Sequence, residues 1–182
     1  MGTRGLTCAV IDGEMKIAQY GQWDHYPDGV GMCIAEFVEH IVNADIVCLF
    51  ANAVRECRFL TDEEVLEKKK AVPGYKENDG WITLDVSEKA KKALPELHRD
   101  TGAGILQMVL DGTRELSDSQ AFSTDNLFCE WAYVVDLDKQ EILVFLHGFS
   151  DWKKDKPFAK VKFKNAVVGM MNVCRKWYKV NE

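Results

Sequence analysis

The chain has 182 residues, 47% of them hydrophobic, which is enough for one well-buried core over 1–182 and points to a single domain. Its 23 basic and 29 acidic residues leave a formal charge of −6, which argues against a nucleic-acid binder that works by neutralising phosphates. No apolar run nears the roughly 18 residues a membrane helix needs, and the start lacks the order of a signal peptide, so a cytoplasmic protein without membrane contact is expected.

"LTCAVIDGEMKIAQY" reads as a β-hairpin, because two apolar-rich segments flank Asp12-Gly13, a pair suited to the positive φ angles of a two-residue turn. "YGQWDHYPDGVG" follows, with glycines for sharp turning and with Trp23 and Tyr26 able to stack on a planar ring. A helix starting near Asp28–Val30 would offer free N–H groups to an anion, whereas the plainer reading has Asp24 or Asp28 capping that helix. Ile34, Phe37, Val38 and Ile41 recur at helical spacing, and "ADIVCLFANAVREC" predicts a second helix.

Thr61 and Glu64 form a capping box for a short charged helix ending before Pro73-Gly74, and "GYKENDG" reads as a surface loop. Ser87 is placed as the cap of "EKAKKAL", which Pro95 ends, and Asp100 or Thr101 as the start of a helix over "GAGILQMVLDG". "TRELSDSQAFSTDN" reads as an exposed connection. "EWAYVVDLDKQEILVFLHGF" predicts a second hairpin and "FKNAVVGMMNVCRKWYKV" a closing helix. Hairpins near both ends with helices between them predict an α+β fold, an antiparallel sheet with helices packed on it. Their edges, if uncovered, could pair into a homodimer.

Six cysteines lie scattered without a C-x-x-C pair and read as reduced, buried small hydrophobes; no metal site is expected. Neither a phosphate-binding loop nor a dinucleotide fingerprint is present, so no cofactor is expected. Asp24 and His25, as neighbours on an extended chain, point to opposite faces and make a poor acid–base dyad. Arg4, the Arg99-Asp100 pair and Glu130 stand near predicted element ends, where the fold could gather them into a polar pocket for an anionic group. "DWKKDKPFAKVKFK" interleaves six lysines with Trp152, Phe158 and Phe163, and reads as a solvated face or a protein-contact strip.

"MGTRGL", "YGQWDHYP", "HRDTGAGIL" and "EWAYVVDLD" together resemble a family of small uncharacterised proteins from bacteria and their phages. Its members open with M-G-T-R and carry a Y-x-Q-W/F-D-x-Y-P motif. The resemblance implies that Arg4, Gln22, Trp23, Asp24, Tyr26, Arg99, Asp100 and Glu130 share a site. More distantly, the first two dozen residues are similar in layout to the amino-terminal hairpin of choloylglycine-hydrolase-type N-terminal-nucleophile hydrolases. That layout implies Thr3 as nucleophile and Asp24 as the last aspartate of the motif, with a free α-amino group as base. Gly2 stands before Thr3, and Gln22-Trp23 replaces the Arg-Asn of that family. Three functions are therefore expected as alternatives. They are binding of a small anionic or nucleotide-like ligand, hydrolysis of an amide or phosphoester in the same pocket, and a protein-interaction or inhibitor module using 151–164.

Overall fold

The computed structural model describes residues 2–75 and 84–180. In chain order the elements are β1 (Gly5–Ile11), β2 (Glu14–Gly21), α1 (Val30–Asn43), α2 (Val47–Arg55), β3 (Arg58–Phe59), α3 (Asp62–Lys70), α4 (Leu84–Ala93), α5 (Gly104–Leu110), β4 (Glu115–Leu116), β5 (Trp131–Asp136), β6 (Glu141–Leu146), β7 (Ala159–Lys162) and α6 (Ala166–Val180). The fold is α+β, as the two hairpins predict. A five-stranded sheet has the order β2-β1-β5-β6-β7, antiparallel except where β1 meets β5 in parallel. That parallel join puts β1 and β5 at the centre, and every residue of both strands is buried, as strands covered on both faces must be.

The first turn forms where Asp12-Gly13 predicts it, with φ of 54° and 72°. Asp138, in the turn of the second hairpin, accepts from both of its N–H groups at 2.9 and 2.8 Å, and Arg55 of α2 donates to the Asp12 carboxylate at 2.7 and 3.1 Å. Beyond the turn the register shifts by one residue at a bulge, so that Gly5 comes to stand opposite Gly21.

One sheet face, with Ala9, Ile17, Trp131, Tyr133 and Val144, packs against Ile34 and Val38 of α1, Phe50 of α2, Leu106 of α5 and Met170 of α6. On the other face Leu6, Val10, Val134, Leu143 and Phe145 are covered by Phe122, Phe149 and Trp152 from connecting segments. The stretch "TRELSDSQAFSTDN" is thus a structural cover: it contributes β4, which pairs with β3, a 3-10 turn over Gln120–Thr124, and the buried Leu116 and Ser123.

Other expectations need correction. Ser87 lies inside α4, so it caps nothing; its hydroxyl sits 3.3 Å from His98 Nε2. α5 starts at Gly104 with Ala103 as cap residue and no side-chain cap bond, while the Thr101 hydroxyl donates to the Pro95 carbonyl. Cys8, Cys57 and Cys129 are buried, but Cys33 and Cys48 are exposed on α1 and α2. The 151–164 strip is divided between faces. Phe163 is buried in the helical layer and Trp152 packs on the opposite side, which leaves mainly lysines outward. Within it β7 forms a sheet edge whose Lys160 and Lys162 pair with Glu141 at 3.7 and 2.8 Å, a charged edge that resists strand addition. Most of "GYKENDG", read as a surface loop, lies outside the described residues.

The capping box forms as predicted, Thr61 Oγ1 accepting from the Glu64 N–H at 3.2 Å and Glu64 from the Thr61 N–H at 2.9 Å. α3 buries no residue, so its ends carry much of its stability. Thr61→Ala is expected to cost about 1 kcal/mol of local stability. Hydrogen exchange should show this as faster exchange over residues 62–70, while amides of β1 and β5 keep their wild-type rates.

Candidate functional site

β1 begins, β2 ends and β5 begins at one end of the sheet, so Arg4, Gln22–Tyr26 and Glu130 are delivered to the same rim by topology alone. Hydrogen bonds tie them. The Glu130 N–H donates to the Arg4 carbonyl at 3.1 Å and the Arg4 N–H to Glu130 Oε1 at 3.3 Å. The turn after α4 is drawn in as well: the Gln22 N–H donates to the Arg99 carbonyl at 3.0 Å, and Trp23 Nε1 donates to Asp100 Oδ1 at 3.1 Å. Asp100, expected to cap a helix, instead holds the Trp23 indole and meets Lys91 at 3.4 Å.

The gathered residues divide into two groups. In the first, the Arg4 guanidinium lies 4.4 Å over the Phe128 ring, and the Tyr20 hydroxyl donates to Gln22 Oε1 at 2.6 Å. Burial raises the Tyr20 pKa, and the charges of Arg4 and Arg99 both oppose that rise. Arg99 Nε lies 3.9 Å from Asp100 Oδ1. Arg4 has no carboxylate ion-pair partner among the described residues. Phe128 and Trp23 are 42% and 52% exposed, leaving aromatic surface open beside this charge.

In the second group, Asp24, Tyr26, Asp28, Gly29, Trp177 and Tyr178 line a hollow of ≈ 510 Å³ between the 20–31 loop and the end of α6. Here the expectation of free N–H groups at a helix start is overturned. The N–H groups of Gly29 and Gly31 donate to the Tyr26 carbonyl at 3.0 and 3.2 Å, and that of Val30 to the Asp24 carbonyl at 2.8 Å. No side chain caps α1, so neither Asp24 nor Asp28 does. An anion would find the N–H groups of Gly29, Val30 and Gly31 occupied and two carboxylates beside them.

Between the groups sits His25, which is fully buried while Asp24 is exposed; the two side chains part at a bend in which Asp24 has φ of 58°, not by the alternation of an extended strand. Its N–H donates to the Thr3 carbonyl at 3.2 Å, its carbonyl accepts from the Tyr133 hydroxyl at 2.8 Å, and its Nδ1 lies 3.1 Å from the Trp23 carbonyl. A proton on Nδ1 therefore leaves Nε2 as an acceptor, and Nε2 has no partner. Burial pulls the His25 pKa down to about 4 against these backbone bonds, so the ring is neutral. The imidazole lies against the bare backbone of Gly5 and Gly21: a Cβ at Gly5 would come 2.6 Å from His25 Cδ2, and one at Gly21 2.7 Å from Nε2. Sequence reasoning missed this role, because the hairpin turn alone pairs Gly5 with Tyr20; only the bulge brings the two glycines opposite each other.

Comparison with family models, curated proteins and solved structures finds no match for this chain. The rim must therefore be read from its own chemistry. Thr3 is 3% exposed and lines neither the loop hollow nor a second one of ≈ 550 Å³ between α1 and α5, where Val30, Phe37, His40 and Gln107 stand. Among the described residues no group of three or more His, Cys, Asp or Glu is placed to hold a metal ion, and no helix is long and apolar enough to cross a membrane.

Proposed function

We propose that the protein binds a small anionic ligand carrying a planar ring, nucleotide-like in chemistry, at the corner formed by Arg4, Tyr20, Gln22, Arg99 and Phe128. The observation that carries this reading is Arg4 itself: a guanidinium without a carboxylate partner among the described residues, set over a half-exposed ring. The Arg4 guanidinium suits bidentate contact with phosphate or carboxylate oxygens, and the open faces of Phe128 and Trp23 suit stacking. Glu130 fixes the Arg4 backbone, and Asp100 fixes the Trp23 ring. The hydrolytic alternative draws no support from Thr3, whose side chain is enclosed.

The test is thermal stabilisation by a panel of nucleotides, inorganic phosphate and small carboxylates, because a ligand that binds only the folded state raises the melting temperature. Arg4→Met is expected to weaken the responding ligand about tenfold or more while leaving the unliganded melting temperature near wild type. Binding should also weaken with added salt. A panel in which no anion moves the melting temperature defeats the proposal, as does an Arg4→Met variant that binds like wild type.

A further inference from the structure

We propose that the hollow between the 20–31 loop and α6 is a separate site for a small organic cation, an alkylammonium or guanidinium ion. Its walls are three aromatic rings, Tyr26, Trp177 and Tyr178, with two carboxylates, Asp24 and Asp28, and among the described residues no basic side chain lines it. At ≈ 510 Å³ it is in the size range of small-molecule sites.

The two carboxylates have no structural duty that explains both. Helix capping would aim them at the first N–H groups of α1, but those donors are bonded to the Tyr26 and Asp24 carbonyls and no side-chain cap is made. Asp28 accepts from the Tyr178 hydroxyl at 2.5 Å, which holds that ring at the hollow. The Asp24 side chain makes no hydrogen bond or ion pair with any described residue. The rings are also arranged for use: Tyr26 and Tyr178 are 40% and 51% exposed, and the Trp177 indole is steadied edge-to-face against the buried Trp131 at 5.0 Å. Aromatic faces attract an organic cation through their quadrupoles, and the free carboxylate supplies the charge-assisted hydrogen bond that selects an N–H donor. A bare metal ion fits less well, since it asks for more oxygen ligands than two carboxylates and gains little from ring faces.

The experiment is a titration of the full chain with choline and with agmatine, followed by amide spectra and the Trp177 indole signal. Saturable shifts confined to residues 24–30 and 177–178 are expected. Asp24→Asn removes the charge at a position with φ of 58°, a conformation asparagine adopts as readily, and should weaken agmatine about tenfold or more. Tyr178→Phe, which releases Asp28, should also weaken both probes. The proposal is overturned if neither probe saturates with the protein folded, or if Asp24→Asn binds agmatine as tightly as wild type. Because the anion corner is read with different ligands and a different variant, failure of either site leaves the other standing.

Discussion

Gly21→Ala should destabilise the protein by about 3 kcal/mol, a fall in melting temperature of roughly 6–12 °C for a chain of this size. The strand backbone offers no reason for such a loss, since Gly21 does not have a positive φ and alanine would ordinarily lower the entropy of the unfolded chain. The reason is His25. A Cβ at Gly21 would overlap the ring at Cε1 and lie 2.7 Å from Nε2, and the buried ring has little room to move, its Nδ1 set against the Trp23 carbonyl and its backbone pinned by Thr3 and Tyr133. This makes a sharp double-mutant prediction. In a His25→Ala background, itself destabilised, Gly21→Ala should cost less than about 1 kcal/mol, because the overlap is gone. Gly5→Ala should not be rescued in the same way, since its Cβ would also strike the Trp131 carbonyl oxygen, which is backbone. Equal penalties for Gly21→Ala in both backgrounds, measured by denaturant unfolding, would remove His25 from the explanation.

The elements that could be read in the sequence are those whose signals are local. Asp12-Gly13 announces its turn because the positive φ angles are a property of two residues, and the Thr61–Glu64 box because both partners lie within one helical turn. The α+β class followed from the two hairpins. What failed to show was anything settled across the fold. Asp100 looks like a helix cap by residue type, but its carboxylate is claimed by an indole that arrives from 77 residues away. Leu116 and Phe122 sit in a polar, turn-rich stretch, yet Leu116 is buried in the helical layer and Phe122 packs over the second sheet face.

The candidate site was legible as a set of segments but not as a set of contacts. Arg4, Gln22, Trp23, Arg99, Asp100 and Glu130 do meet at one rim, since the parallel join of β1 and β5 brings their flanking residues together. Asp24 and Tyr26 belong to the same loop, yet a single residue with φ of 58° turns them toward α6 and away from the arginines. One motif therefore serves two chemically opposite surfaces: basic and aromatic on one side, acidic and aromatic on the other. His25, between them, contacts neither as a ligand group and holds the loop in the shape that separates them.

That position makes the loop sensitive to acid. His25 has its pKa lowered to about 4 in the fold, whereas an unfolded histidine titrates near 6.5. Between those values the unfolded chain binds more protons than the native one, so stability falls as the pH is lowered through this window. The contribution is whole above about pH 6.5, and its loss levels off below the folded pKa. A depression of this size corresponds to about 3 kcal/mol. His98 is shifted in the same direction by burial, so the wild-type slope alone does not isolate His25. The difference between wild type and His25→Gln does. The variant should be less stable at neutral pH, and its unfolding free energy should change less between pH 6.5 and about 4.5. Carboxylates such as Glu64, held near 2 in the fold, add a slope of their own toward the lower end as their unfolded forms take up protons, and that slope is common to both proteins. Parallel curves for the two proteins would mean that His25 is not carried neutral into the fold. The same protonation should be visible locally: as the pH drops, exchange of the His25 and Val30 amides, which are bonded to Thr3 and Asp24, should accelerate before that of β5, because the charged imidazole pushes outward on the loop that it normally anchors.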